Sequence, residues 1–120
     1  TIRFMGTADD INNYLQAMEL MLLPSLYEGF PVTVVEWQAN GLPCIVSDTI
    51  TKDVKITDLV KQLSIEDGTT IWKNEILKHN NEVDVETRKS YYIKVSKAGY
   101  NIKNNVSSLK EHYIERLGDN

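Results

Sequence analysis

The stretch PSLYEGFPVTVVEWQANGLPCIVSD, residues 24–48, decides the fold that we predict for this chain. It begins with the end of an apolar run and continues through a loop that contains glycine and proline. A helix with Pro31 in its first turn follows, and Gly41 lies just past its last turn. A short apolar strand comes next. A strand, a helix and a strand in this order predict a parallel βαβ unit whose helix covers the sheet.

The segments on either side extend the same alternation. IRFMG predicts a strand that ends at Gly6, and LMLLPS predicts a strand buried on both faces. Between them, ADDINNYLQAME predicts a helix with Asp9 or Asp10 as its N-cap. One more short strand is predicted near Val60–Leu63. The apolar positions of the first helix share one face: Ile11, Tyr14, Leu15 and Met18. We therefore predict an α/β fold with a parallel sheet and flanking helices.

The second half of the chain is predicted to be a helical tail. Its apolar side chains recur at helical spacing, which is typical of a packed core, so we give them no catalytic role. They are Trp72, Ile76 and Leu77 on the first helix, Tyr91 or Tyr92 with Val95 and Ala98 on the second, and Ile102, Val106, Leu109, Tyr113 and Leu117 on the third. Gly99 is predicted to end the second helix.

Composition narrows the class of protein. The chain has 120 residues, 42% hydrophobic and 25% charged, and a net charge of -4, so we predict one globular domain and no nucleic-acid partner. The lysines of residues 52–55 are predicted to lie in a solvated loop. Cys44 has no cysteine partner in the chain; we predict a small buried side chain and a reducing, cytoplasmic compartment. No signal peptide or membrane span is predicted, and the opening TIRFMG is typical of a cut inside a larger protein.

The loop before Pro31 has the features of an anion site. The backbone N–H groups of Val32 and Thr33 have no partner inside the helix that they begin, so they favour an anion such as phosphate. The backbone of Gly29 and Phe30 adds to this site, and Gly29 lets a ligand approach closely. The stretch has neither a GxGxxG pattern nor a Walker lysine.

Two carboxylates flank that loop. Glu28 precedes the helix and Glu36 lies about a turn and a half inside it. Carboxylates accept hydrogen bonds from vicinal hydroxyls, so the pair on either side of a phosphate site fits ribose, diphosphate and sugar. The alternative is that Glu28 only stabilises the helix dipole and Glu36 is a solvated surface residue.

The stretch closely resembles the Glu-x7-Glu signature of the group 1 (family 4) retaining glycosyltransferases, which have the GT-B fold. Residues 2–48 carry the resemblance, and it is looser thereafter. Trp37 stands where that family commonly has alanine, which concerns packing more than chemistry. The matching positions are Pro24, Ser25, Glu28, Gly29, Phe30, Pro31, Glu36, Ala39, Gly41 and Pro43.

The resemblance implies a Rossmann-like sheet, part of the C-terminal domain of a GT-B fold, with residues 1–120 as one partial nucleotide-sugar-binding domain. It implies that Glu28 is catalytic and contacts the donor sugar near the anomeric centre, and that Glu36 holds the ribose. Gly6 and Thr7 either contact the base through their backbone or form a plain turn. The diphosphate would bind at Gly29, Phe30, Pro31, Val32 and Thr33.

The same resemblance implies the reaction and the partners. A sugar would pass with retention from a nucleotide diphosphate sugar, such as a UDP-sugar, to a glycan or lipid-linked acceptor held by an N-terminal domain. Such enzymes serve capsular, exopolysaccharide or other glycan synthesis, in the cytoplasm or on the inner face of the membrane. No cofactor or metal is expected. The basic pair of the family has no match here, since Arg3 lies on the opening strand, and His79 and His112 are predicted to be surface residues.

Two other classes stay open at this point. One is a GT-B nucleotide-sugar 2-epimerase, which the Glu-x7-Glu spacing fits less well. The other is a non-catalytic interaction module that uses the helical tail as its surface. Neither the sugar, the base nor the acceptor follows from this sequence.

Overall fold

The computed structural model describes residues 1–79 and 83–118, without the side chains of residues 102, 112, 113 and 115–118. Three parallel strands form one sheet in chain order: β1 (Met21–Leu23), β2 (Cys44–Ser47) and β3 (Val60–Leu63). Met21 pairs with Cys44, and Cys44 pairs with Val60. The predicted parallel sheet is confirmed, including its short strand at Val60–Leu63.

Five α-helices accompany the sheet within the described residues. Asp10 caps the first of them and accepts a hydrogen bond from the Asn13 backbone N–H at 3.3 Å, as Asp9 or Asp10 was expected to do. Short 3-10 turns lie at Lys52–Val54 and Ile65–Asp67. The helices are α1 (Ile11–Ala17), α2 (Val32–Ala39), α3 (Gly68–Ile76), α4 (Val85–Lys97) and α5 (Ile102–Gly118).

The core lies between the sheet and helices α2 and α4. Buried aliphatic side chains of α2 and α4 pack there against one face of β2. Cys44 and Val46 belong to that face, because side chains alternate between the two faces along a strand. The buried members include Val34, Val35, Val46 and Val95. Cys44 is buried as predicted, and burial raises the pKa of its thiol to about 12. Trp37 packs against this core, which agrees with a packing role.

A buried amide links α2 to the turn before β3. The Gln38 side chain donates to the Val54 carbonyl at 2.8 Å and accepts from the Thr57 backbone N–H at 2.8 Å. The Thr57 hydroxyl donates to the same oxygen at 3.0 Å. Gln38 is fully buried, so these bonds offset the cost of taking its amide out of water. This network fixes the inner face of α2.

The predicted strand at residues 2–6 is wrong. This segment has no regular secondary structure and pairs with no described strand, and Ile2 and Phe4 are 85% and 98% exposed. A strand needs a neighbour to accept and donate its backbone hydrogen bonds, and β1 is the outer strand of the described sheet. The prediction that β1 is buried on both faces is also wrong, since Leu22 is 42% exposed. In α1, only Leu15 is buried.

The helical tail packs less than its apolar stripes predict. Leu77, Val106 and Leu109 are more than half exposed, because the described parts of α3 and α5 find no layer to cover those faces. Val95 is buried as predicted, and Tyr91 rather than Tyr92 is the partly buried tyrosine beside it. The predictions for Ile102, Tyr113, Leu117 and His112 concern side chains outside the described residues.

Three further predictions have clear outcomes. Gly99 does end α4, with a positive φ of 97°. Lys52 and Lys55 are exposed, as a solvated loop requires. His79 is not a free surface residue: its Nε2 is shielded from solvent and lies 3.9 Å from a Glu75 carboxylate oxygen. The histidine follows α3 and packs back on that helix, which its linker position did not predict.

Candidate functional site

The loop between β1 and α2, residues 24–31, lies at the carboxyl edge of the sheet, where parallel folds commonly place ligands. Hydroxyls at the end of β2 anchor it. The Thr49 hydroxyl donates to the Ser25 carbonyl at 2.7 Å, and the Ser47 hydroxyl donates to the same oxygen. The start of this β1–α2 loop is therefore tied to the neighbouring strand.

Glu28 lies in the exposed part of this loop. The Ser25 hydroxyl is 3.3 Å from Glu28 Oε1 and 3.0 Å from the Tyr27 carbonyl oxygen, so its single proton can serve either acceptor. The Glu28 carboxylate is thus kept near the anchored end of the loop and keeps lone pairs for a ligand.

The start of α2 is open to solvent. Pro31 is the N-cap and is buried, and its carbonyl accepts from the Val34 N–H at 3.0 Å. The N–H groups of Val32 and Thr33 precede that first bond and have no partner within the helix. Val32 is 61% exposed and Thr33 is exposed as well. Free donors and the helix dipole make this a place for an anion.

Glu36 lies on the outer face of the same helix. It is exposed, and it follows Thr33 by three residues, which places the two on one side of α2. The inner face carries Val34 and Val35, which are buried. The helix therefore presents Glu36 and its first N–H groups to solvent together.

Gly29 leaves free space in front of the β1–α2 loop. A β-carbon built there would meet no atom within 4 Å. Its φ is not among the positive glycine values, so the backbone conformation does not require glycine. The free space is consistent with the close approach of a ligand that the sequence predicted.

An aromatic contact at Phe30 was missed by the sequence analysis. The Phe30 ring is stacked on that of Tyr100, with centroids 6.2 Å apart and planes 3° apart. Tyr100 lies between α4 and α5. The supporting hydroxyls of Ser47 and Thr49 were missed too, although their position at the end of a buried strand was a usable signal.

Among the described residues, no backbone hydrogen bond links Gly6 or Thr7 to the β1–α2 loop. Both are exposed in the segment before α1, and Gly6 has a positive φ of 66°, as in a turn. Their contact with a base stays a prediction.

The described residues contain no group of three His, Cys, Asp or Glu side chains that could hold a metal ion.

A cavity of about 580 Å³ lies away from the β1–α2 loop, between the ends of α1 and α2 and the start of α4, where Met18, Asn40 and Arg88 line it. Because the Arg88 guanidinium already donates to the Leu15, Met18 and Asn40 carbonyls, we assign it a structural role.

Comparison with known proteins gives the family. A family model described as "Glycosyl transferases group 1" matches residues 1–78. A Bacillus subtilis protein that carries the name glycosyltransferase EpsF is 36% identical over 93% of this chain and 29% of its own length. An Escherichia coli protein, named UDP-Gal:alpha-D-GlcNAc-diphosphoundecaprenol alpha-1,3-galactosyltransferase, is 35% identical over 94% of this chain and 30% of its own length. No solved structure matches significantly.

A third relative matches a shorter part of this chain. The Campylobacter jejuni N,N'-diacetylbacillosaminyl-diphospho-undecaprenol alpha-1,3-N-acetylgalactosaminyltransferase is 43% identical over 39% of this chain and 12% of its own length. The chain spans about three tenths of the length of the first two relatives. Within the described part of the chain, no helix has the length and apolar character needed to cross a membrane.

Proposed function

The chain belongs to the group 1 glycosyl transferase family, and from this premise we propose that it forms the donor-binding part of a retaining glycosyltransferase. The complete protein transfers a sugar from a nucleotide diphosphate sugar, for which we propose a UDP-sugar, to an acceptor hydroxyl. The three-stranded parallel sheet with its flanking helices is consistent with the C-terminal domain of a GT-B fold.

One observation carries this proposal: an open helix start lies between two exposed carboxylates at the carboxyl edge of the sheet. The diphosphate binds at the N–H groups of Val32 and Thr33. Glu36 accepts hydrogen bonds from the ribose hydroxyls, and Glu28 faces the sugar. The residues that carry these groups are all exposed, as the approach of a ligand requires.

The chemistry follows from these positions. The bond between the anomeric carbon and the diphosphate oxygen breaks, the acceptor oxygen forms the new bond on the same face, and the acceptor proton passes to the departing diphosphate. Charge then develops on the sugar ring near Glu28 and on the leaving diphosphate near the start of α2. Fixed donors and a fixed carboxylate stabilise those charges without reorganising, which is how such a site lowers a barrier.

We propose a glycan or lipid-linked acceptor, bound by an N-terminal domain, in a cytoplasmic protein that works at the inner face of the membrane. Two relatives support this by their names, which give diphosphoundecaprenol and diphospho-undecaprenol compounds as substrates. The 120-residue chain alone then holds part of a donor site and is expected to be inactive. The three relatives described above carry transferase names, and we do not carry the epimerase alternative forward.

We propose that the reaction needs no metal, because the N–H groups at the start of α2 already favour a negative diphosphate. Transfer by the complete protein should keep its rate within about twofold when EDTA is added. Loss of activity in EDTA, restored by Mg²⁺ or Mn²⁺, would show that the diphosphate is neutralised by a cation instead.

The test of the function itself uses the complete protein with UDP-sugars and a sugar-diphospho-undecaprenol acceptor. We expect release of UDP and a product with retained anomeric configuration by NMR. Glu28→Gln serves as the control for contaminating transferases, since it should remove the signal. Inversion at the anomeric carbon, or transfer that is unaffected by Glu28→Gln, would contradict the proposal.

A further inference from the structure

The Phe30–Tyr100 stack joins the β1–α2 loop to the helical second half of the chain. The rings are parallel to within 3° at a centroid distance of 6.2 Å, inside the range of favourable aromatic pairs. Both rings remain partly exposed, at 41% and 44%. The contact is therefore not an ordinary core contact, because a core would bury both rings.

Tyr100 is held from two sides. Its backbone N–H donates to the carbonyl of Val95, a residue buried in the core, at 3.3 Å. The preceding Gly99 has a positive φ of 97°, which ends α4 and sets the direction of the chain. From α5, the Asn105 amide donates to the Gly99 carbonyl at 2.8 Å. The ring thus projects from a fixed corner between two helices.

Phe30 lies between two anchors of the β1–α2 loop. The two hydroxyls from the end of β2 hold the loop at Ser25, and Pro31 is buried at the start of α2. Between these anchors Tyr27 is 91% exposed and Gly29 meets no atom at its β position. The stack on Tyr100 is a tertiary contact that restrains this part of the loop.

We propose that Tyr100 is a positioning residue that holds the β1–α2 loop in its donor-binding conformation by stacking on Phe30, an inference that rests on the function proposed above. Tyr100 does not touch the donor. It raises the fraction of molecules whose backbone at Gly29 and Phe30 is placed for binding, and the apparent affinity scales with that fraction. An aromatic pair of ordinary strength corresponds to a change of about 2- to 10-fold.

The experiment compares Tyr100→Ala, Tyr100→Phe and Tyr92→Ala in the complete protein. Tyr92 is the matched control, because it is an exposed tyrosine of α4 that lines the cavity away from the β1–α2 loop. Calorimetry with UDP gives the affinity. NMR order parameters of the backbone N–H groups of residues 29, 30, 32 and 33 give the order of the loop without any ligand. If Tyr100→Ala lowers the melting temperature more than Tyr92→Ala does, Tyr100→Leu replaces it.

We expect Tyr100→Ala to weaken UDP binding about 2- to 10-fold and to lower the order parameters of residues 29, 30, 32 and 33, while Tyr100→Phe and Tyr92→Ala behave as wild type. In a Phe30→Ala background, Tyr100→Ala should add nothing. Unchanged order parameters and affinity in Tyr100→Ala, or effects that add to those of Phe30→Ala, would overturn the inference and leave the donor site standing. A wild-type protein that binds no UDP would instead contradict the proposed function, while the order parameters would still decide whether Tyr100 orders the loop.

Discussion

Gly41 and Arg88 pack so closely that a β-carbon on Gly41 would lie 2.8 Å from the Arg88 Cα. The Arg88 guanidinium also donates to the Asn40 carbonyl at 3.2 Å and to the Met18 carbonyl at 2.8 Å. The carboxyl end of α2 is therefore fixed against α4 and α1. Because α2 is a short rigid helix, this contact also sets where its other end, the proposed diphosphate site, lies.

The first prediction concerns this contact. Gly41→Ala should lower the free energy of unfolding by at least about 1–2 kcal/mol, since alanine is strained at a φ of 69° and its methyl group would overlap the Arg88 backbone. Chemical denaturation of the complete protein measures the change. A variant as stable as wild type would mean that α4 can move away from Gly41 at no cost, and that this close contact does not contribute to stability.

Gly29→Ala is the matched second prediction. Its methyl group meets no protein atom and its φ is not positive, so stability should stay within about 0.5 kcal/mol of wild type. If the diphosphate approaches this backbone, UDP affinity should fall on the order of tenfold, which is about 1.4 kcal/mol. Unchanged affinity would place the phosphates elsewhere.

A third prediction follows from Cys44. Burial raises its pKa from an ordinary 9.0 to about 12, so between those values the folded state keeps a proton that the unfolded state releases. The free energy of unfolding should therefore fall as pH rises above 9, by up to about 1.4 kcal/mol per pH unit. Below pH 9 this effect is absent.

The control for this third prediction is Cys44→Ala, which has no thiol to ionise. Urea denaturation at pH 7 and pH 10 should show that wild type loses more stability than the variant over that interval. An equal loss in both proteins would show that other groups, and not the buried thiol, govern the alkaline range.

Much of the first half of the fold follows from sequence alone. Pro31 at the start of a helix, Gly41 after its end and the apolar Cys44–Ser47 strand are local signals, and local chemistry determines what they form. The Glu-x7-Glu spacing also brought Glu28 and Glu36 to either side of one helix start. These features depend on residues that are neighbours in the chain.

What the sequence could not supply depends on contacts between distant segments. Residues 2–6 have strand composition but no described partner strand, and composition does not report pairing. Gln38 looked like an ordinary helix position, and its burial depends on Val54 and Thr57 lying opposite. Tyr100 lies in none of the predicted apolar series, and its contact is with Phe30, seventy positions earlier.

The central claim is that Glu28 acts on the reacting sugar and Glu36 on the ribose, and steady-state kinetics of Glu28→Gln and Glu36→Gln in the complete protein test it most directly. Glu28→Gln should lower kcat by about 10²–10³ with little change in donor KM, because its charge acts where the transition state develops. Glu36→Gln should raise donor KM about 10- to 100-fold with kcat nearly unchanged, because it removes a charged hydrogen bond remote from the reaction. Small, equal effects of both substitutions would indicate that the two carboxylates are solvated surface residues, and would contradict the account.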